Sequence, residues 1–313
     1  MKHVLVTGGA GFIGASLVRK LLENGDKVVV IDNLITSNGE SIKPLLKNPN
    51  FKFIKRDIIK PLPSSIINHQ SSIGHIFHLA CPTGVPNLTK LAREMLLTSA
   101  IGTMNVLELA RKHKAKFIFT SSSEVYGDPK VFPQNENYTG NVSSVGIRSP
   151  YEEGKRFAES LIMTYVRKYN LDARIVRVFN TYGPLMSIND TRVIPKFLKQ
   201  ISKNQPLTVQ GDGRQTRTFC YVDDLIKGLV LLMDKGGEGE VYNLGSNKEI
   251  SINTLAGLMI KITKSKSKTI NISRPSHDHN RRLPDLRKAN KLNWYTKVGL
   301  DEGLERTVRW FGF

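Results

Sequence analysis

Tyr151 and Lys155 stand four residues apart in the stretch SPYEEGKRFAES, Ser149 to Ser160. On a helix that spacing puts both side chains on one face. A phenol ordinarily ionises near pH 10, about 1.4 kcal/mol per unit of lowering, and a neighbouring ammonium favours the phenolate. The pair can therefore supply a tyrosinate that removes a hydroxyl proton near neutral pH, as hydride chemistry on an alcohol requires. The same spacing also fits a solvated helix face. The upstream chain has to decide between the two.

Upstream, residues 2–7 (KHVLVT) read as a buried strand, followed by Gly8, Gly9, Gly11 and Gly14 in TGGAGFIG. The helix after them presents Phe12, Ile13, Leu17, Val18, Leu21 and Leu22 on one face and stops near Gly25. The strand KVVVID follows and ends in Asp32. Strand, glycine turn, helix, strand and acid together make a dinucleotide-binding context. Bare glycines let the backbone approach a pyrophosphate, and the helix start offers N–H groups to it. Asp32 would accept from a ribose 2′-hydroxyl and repel a 2′-phosphate, which points to NAD rather than NADP.

Further strands are predicted at 52–58, 75–80, 116–122 and 173–180, with helices over roughly 90–113 and 151–169. Such alternation predicts an α/β fold: a Rossmann-type, doubly wound parallel sheet. Ligands in these sheets lie beyond the carboxyl ends of the strands. Asp57 and Ile58, Ala80 and the run Thr120–Glu124 all fall at such ends. From about Thr181 the pattern loosens, then a helix in FCYVDDLIKGLVLLM and a strand at 240–245 return. The expected division is a sheet domain of 1–180 plus about 218–246, interleaved with a smaller substrate-binding domain of about 181–217 plus 247–313.

The totals narrow the partners. With 313 residues, 40% hydrophobic and 23% charged, the chain is globular in type. Cys81 and Cys220 are its two cysteines, which excludes a disulfide framework and fits a reducing cytoplasm. MKHVLVTGG enters a strand at once, without the pattern of a signal peptide. Apolar runs such as Gly228–Met233 are too short to span a bilayer. A net charge of +19 suits an anionic ligand. Its densest basic run, Lys261 to Lys268, lacks the interleaved aromatics that stack bases, so nucleic acid is not expected as a partner. His277 and His279 have no partner ligands in the pattern and read as a polar loop, with no metal site.

The motifs TGGAGFIG, SSSEVYGDP (121–129), YEEGK (151–155), FNTYGP (179–184), GDGRQTRTFCYVDD (211–224) and RRLPD (281–285) cover nearly the whole chain. With them it resembles the extended short-chain dehydrogenase/reductase family, in its nucleotide-sugar-modifying branch. GIRSPYEEGKR and the single glutamate in SEVYGDP resemble most the members that decarboxylate UDP-glucuronate to UDP-xylose. The resemblance implies NAD as a recycled bound cofactor, with Gly8, Gly11, Phe12, Ile13, Gly14, Asp32, Asn33, Asp57, Ile58, Leu79 and Ala80 around it. It implies Tyr151 as base, Ser122 on the same sugar oxygen, Lys155 holding the tyrosinate and nicotinamide ribose, and Glu124 with Ser123 serving decarboxylation. Arg217 and Arg282 are implied as diphosphate clamps, Asn180 as a substrate-orienting amide, and Leu207, Thr208 and Val209 as uracil contacts. Arg148 is open between a substrate role and a structural ion pair.

The chain departs from the family's pattern in CPTGVPNLTK (81–90), which lacks a tyrosine, and at Ser99, where asparagine is usual. A homodimer is also implied, through helices 90–113 and 151–169, with Leu91, Met95, Leu161 and Tyr165 as apolar contacts. The competing readings are a UDP-sugar 4-epimerase using the same tyrosine and a non-catalytic NAD-binding or nucleic-acid-binding protein.

Overall fold

The computed structural model describes residues 1–63, 66, 72–274 and 281–313. Strand β1 (His3–Thr7) sends Val4 and Val6 to one face and Leu5 to the other, all buried. A strand apolar on both faces must be covered on both sides. On the Val4 side it is covered by α1 (Phe12–Glu23) and by a later helix running Val222–Lys235. On the Leu5 side lie Val106, Leu107, Ala158 and Ile162, from two other helices.

Those two helices begin with α2 (Ala92–Leu97), which passes through a wide π turn at Thr98–Gly102 into α3 (Thr103–His113). The sequence predicts one unbroken helix there. Its neighbour α4 (Ser149–Tyr169) starts with Pro150 in the first turn and ends at Asn170 in left-handed conformation. α4 passes so close to the π turn that a Cβ on Gly154 would lie 3.0 Å from Ser99 Oγ. The turn holds Ser99 buried against α4, and such π turns are frequent at functional sites.

The sheet adds β2 (Lys27–Asp32), β3 (Phe51–Lys55), β4 (His75–His78), β5 (Lys116–Ser122), β6 (Ala173–Val178) and β11 (Val241–Leu244). Its seven strands run in the order β11-β6-β5-β4-β1-β2-β3, every neighbouring pair parallel. The chain reverses direction across the sheet between β1 and β4, where a ligand crevice forms. Four predicted strands are shorter than expected, among them β6, which ends at Val178, and β11, which spans Val241–Leu244. β3 stops before Asp57, whose carboxylate accepts from Ile59 N at 3.0 Å and turns the chain. β4 stops at His78.

After β6 come β7 (Thr181–Tyr182), α5 (Val193–Ser202), β8 (Leu207–Gln210), β9 (Thr216–Thr218) and β10 (Cys220–Tyr221). α6 is the Val222–Lys235 helix already met, and it leads back to β11 in the main sheet. β12 (Glu249–Ser251), α7 (Ile252–Thr263), β13 (Thr269–Ile272) and α8 (Leu300–Trp310) complete the chain. The two-stranded pairs β8–β13 and β9–β12 sit with a separate core containing Phe197, Leu198, Leu207, Leu255, Met259 and Leu304.

Candidate active site

A cavity of about 1360 Å³ opens over the carboxyl ends of β1, β2, β4 and β5. Single small-ligand pockets run to roughly 300–1,000 Å³, so there is room for a dinucleotide and a second ligand. Gly8 has a φ of +72°, and a Cβ there would lie 2.7 Å from Ala80 N, so only glycine fits. A Cβ on Gly14 would meet Gly8 O at 2.1 Å. Gly11, in contrast, has nothing closer than 3.5 Å and turns its bare Cα to the cavity. This cradle at the start of α1 suits a pyrophosphate.

Phe12, Ile13, Asp32, Asn33, Asp57, Ile58, Leu79 and Ala80 all line the same cavity. Asp32 accepts from Ala10 N at 3.0 Å and Leu34 N at 2.8 Å, which fixes its carboxylate at the end of β2. Asn33 donates to Asp57 at 3.0 Å and closes that end of the groove.

At the other end, Ser122 ends β5 beside the Tyr151 phenol of α4. The sequence predicts that Lys155 depresses this phenol. The structure corrects that expectation: Lys155 turns away to donate to Thr120 O at 2.8 Å and lies 4.4 Å from the centre of the Phe119 ring. Desolvation pushes the Tyr151 phenol well above its ordinary range, against the smaller pull of Ser122 and Arg192. Desolvation likewise lowers the Lys155 amine, while Cys81 and Glu159 act to raise it. Cys81 hydrogen-bonds Ser99, and burial pushes its thiol up.

Glu124 follows Ser122 in a short turn, Ser123–Tyr126, that the Ser122 hydroxyl caps by accepting from Glu124 N at 3.3 Å. Its carboxylate accepts from Arg148, and Arg282 Nη2 lies 3.2 Å away. Arg148 also reaches Glu152 at 3.0 Å, so it is an ion-pair partner that lines the cavity as well. Arg282, 3% exposed, donates to Ser123 O beside Glu124. That places the expected diphosphate clamp against the residues expected to serve decarboxylation.

Toward the nucleotide end, Asn180, Thr208 and Arg217 line the cavity. Leu207 and Val209 are fully buried in the smaller core, because alternation along β8 gives Thr208 and Gln210 to the cavity side. Their side chains are therefore not uracil contacts. Sequence reasoning passed over Arg192, Lys196 and Lys199, which also line the cavity. Their spacing of four and three residues, from the residue before α5 to its last turn, was a usable signal. Among the described residues no cluster of His, Cys, Asp or Glu could hold a metal ion. His277 and His279 lie outside the described residues.

Two expected dimer contacts face inward: Met95 is 0% exposed, and Tyr165 donates to Glu108 at 2.5 Å within the chain. Leu91 and Leu161 are half-buried. Outward apolar side chains on these helices and the turn between α2 and α3 include Leu96, Ile101, Met104, Phe157 and Tyr169.

Residues 4–245 match the model described as the NAD dependent epimerase/dehydratase family. UDP-glucuronic acid decarboxylase 1 of Arabidopsis thaliana is 44% identical over 98% of this chain and 69% of its own length. The crystal structure of UDP-glucose 4-epimerase from Thermotoga maritima with UDP-glucose superposes with a TM-score of 0.90 at 31% identity, covering 98% of both chains. UDP-glucuronic acid 4-epimerase from Bacillus cereus, in complex with UDP-glucuronic acid and NAD, gives 0.89 at 31% identity, covering 99% of this chain and 98% of that one.

Proposed function

Since the chain belongs to the NAD dependent epimerase/dehydratase family, we propose that it is the carboxy-lyase that converts UDP-glucuronate to UDP-xylose, with NAD as its bound cofactor. The observation that carries this reading is Glu124 held between Arg148 and Arg282 beside Ser122 and Tyr151. A carboxylate and two guanidiniums next to the base form a place to orient a substrate carboxylate.

NAD, held by the Gly8–Gly14 cradle and Asp32, would supply the acceptor for the sugar's C4 hydride and the donor that returns it. Tyr151 removes the C4 hydroxyl proton, with Ser122 bonded to the same oxygen. Lys155 leaves the Thr120 carbonyl as the base ionises and turns its ammonium to the phenolate, which desolvation otherwise disfavours. The ketone so formed stands β to the C6 carboxylate. Breaking the C5–C6 bond releases carbon dioxide and leaves its electron pair in a C4 enolate. Tyr151, now protonated, and Ser122 donate to that enolate oxygen. Ser123 and Glu124 orient the C6 carboxylate and manage the proton that C5 gains. Asn180 orients the sugar, and Arg217, with Arg192 and Lys196, meets the diphosphate. Thr208 faces the uridine.

A second reading, a UDP-sugar 4-epimerase, draws support from the likeness to the two epimerase structures. Incubation with UDP-glucuronate and NAD separates the two. The proposal requires carbon dioxide and a UDP-pentose; UDP-galacturonate without carbon dioxide would replace it with the second reading. We further infer a homodimer formed by α2, α3 and α4 through Leu96, Met104 and Phe157. The two free thiols suit a cytoplasmic setting.

A further inference from the structure

Behind the cavity wall lies a buried ion pair that touches neither ligand space. Arg177 on β6 forks onto Glu159 of α4, Nε to Oε1 at 3.0 Å and Nη2 to Oε2 at 2.8 Å. Ser121 Oγ donates to the same Glu159 Oε1 at 2.5 Å. Glu159 is 9% exposed and the Arg177 side chain 12%. Neither lines the cavity. A buried ion pair contributes little net stability, because desolvation offsets the attraction, and a well-packed apolar pair often does as well. Its position is more telling. Glu159 stands one helical turn after Lys155 and two after Tyr151, and Ser121 immediately precedes Ser122.

The same guanidinium reaches the other catalytic segment. Arg177 Nη1 donates to Tyr126 OH at 3.0 Å, and Tyr126 closes the turn that carries Glu124. Tyr126 OH in turn donates to Asn243 Oδ1 at 2.8 Å. Asn243 Nδ2 donates to the carbonyl of Gln134 at 3.0 Å, and Gln134 Oε1 accepts from Leu283 N at 2.8 Å, next to Arg282. One chain of bonds thus ties β5, α4, the Glu124 turn and the Arg282 segment.

We propose that Glu159 is a positioning residue for the reaction: it supplies the counter-charge beneath Lys155 and, through Arg177 and Ser121, keeps the Ser122–Glu124 segment in register with Tyr151. This rests on the catalytic reading of Tyr151 and Lys155 given above. Lys155 is faced from the β4 side by neutral His78 and by Cys81, from β5 by the Thr120 carbonyl and the Phe119 ring, and from α4 by Tyr151 and Glu159. Glu159 is the carboxylate in that set, and it opposes the desolvation that favours loss of the lysine proton.

The test compares wild type, Glu159→Gln, Glu159→Asp and the double variant Glu159→Gln/Arg177→Met across pH, reading kcat, KM, retained NAD and Tm. The double variant removes the Arg177 guanidinium that Glu159→Gln would leave unpaired, so it carries the test if Glu159→Gln does not fold. Glu159→Gln is expected to lower kcat about tenfold with KM within about threefold. It should also move the alkaline limb of kcat down by about one unit. The double variant should shift the limb the same way by less, and Glu159→Asp should restore it. An unmoved alkaline limb in the folded variants, with kcat falling only in step with Tm, overturns the proposal. The reaction itself is read on wild type, as carbon dioxide from UDP-glucuronate. If wild type epimerises instead, the reaction reading fails while the limb comparison on that epimerisation still decides the role of Glu159.

Discussion

Arg282 Nη2 lies 3.2 Å from the Glu124 carboxylate, so an arginine from near the end of the chain completes a turn that begins at β5. Glu124→Gln keeps the shape of that turn and removes its charge. Arg148 retains Glu152 as partner, so folding should persist. Carbon dioxide release should fall sharply while binding of UDP-glucuronate and NAD survives. Tyr151→Phe should instead remove oxidation and all later steps together, by about 10²–10⁴-fold for loss of a general base. Simultaneous binding, NADH absorbance and carbon dioxide yield check both. Wild-type carbon dioxide yield from Glu124→Gln would take Glu124 out of the mechanism.

Asp32 sets the choice of dinucleotide. Its carboxylate is fixed by Ala10 N and Leu34 N at the end of β2, where a 2′-phosphate would meet like charge. NAD should bind more tightly than NADP in parallel titrations, and Asp32→Ala should narrow the gap. Equal or tighter binding of NADP by wild type would contradict the assignment.

His78 makes stability depend on pH. Desolvation, with the Lys155 charge adding to it, lowers the ring from 6.5 to about 3. It lies between Thr7 Oγ1 at 2.6 Å and Thr103 Oγ1 at 3.0 Å. The folded ring is neutral while the unfolded one gains a proton below pH 6.5, so the unfolded state binds more protons there. Stability is therefore full above pH 6.5 and is lost as pH falls toward 3, at up to about 1.4 kcal/mol per unit. Urea midpoints measured through that window should fall more steeply for wild type than for His78→Gln. Equal slopes would show that the ring is not the group responsible.

Phe157 is 53% exposed on α4 and Met104 43% exposed on α3. If these helices form the two-fold contact, sedimentation at micromolar concentration should give twice the 35.1 kDa chain mass. Phe157→Glu should return the protein to one chain. A wild-type species at the single-chain mass would remove the dimer.

Much of the site could be read locally. The glycine cradle and Asp32 follow one another within a single strand–helix–strand unit, and Tyr151 and Lys155 share a face through helical periodicity alone. Such features depend on backbone hydrogen bonds between near neighbours, so residue spacing carries them. The π turn that carries Ser99 was missed, because one extra residue in a helical turn leaves the apolar periodicity almost intact.

What spacing cannot carry is distance between segments and the dielectric around a group. Leu207 and Val209 face inward because the smaller core forms on that side of β8, a matter of what packs there. The same holds for Arg282 against Glu124 and for Arg177 between Glu159 and Tyr126, partners drawn from different strands and turns. Tyr151 shows the division within one residue. Its identity and its lysine neighbour are written in sequence, whereas its proton affinity follows from desolvation by elements distant along the chain. Sequence alone determined the chemical groups and the cofactor cradle. The folded chain decided which groups meet and how strongly each holds its charge, because those depend on long-range packing and the exclusion of water.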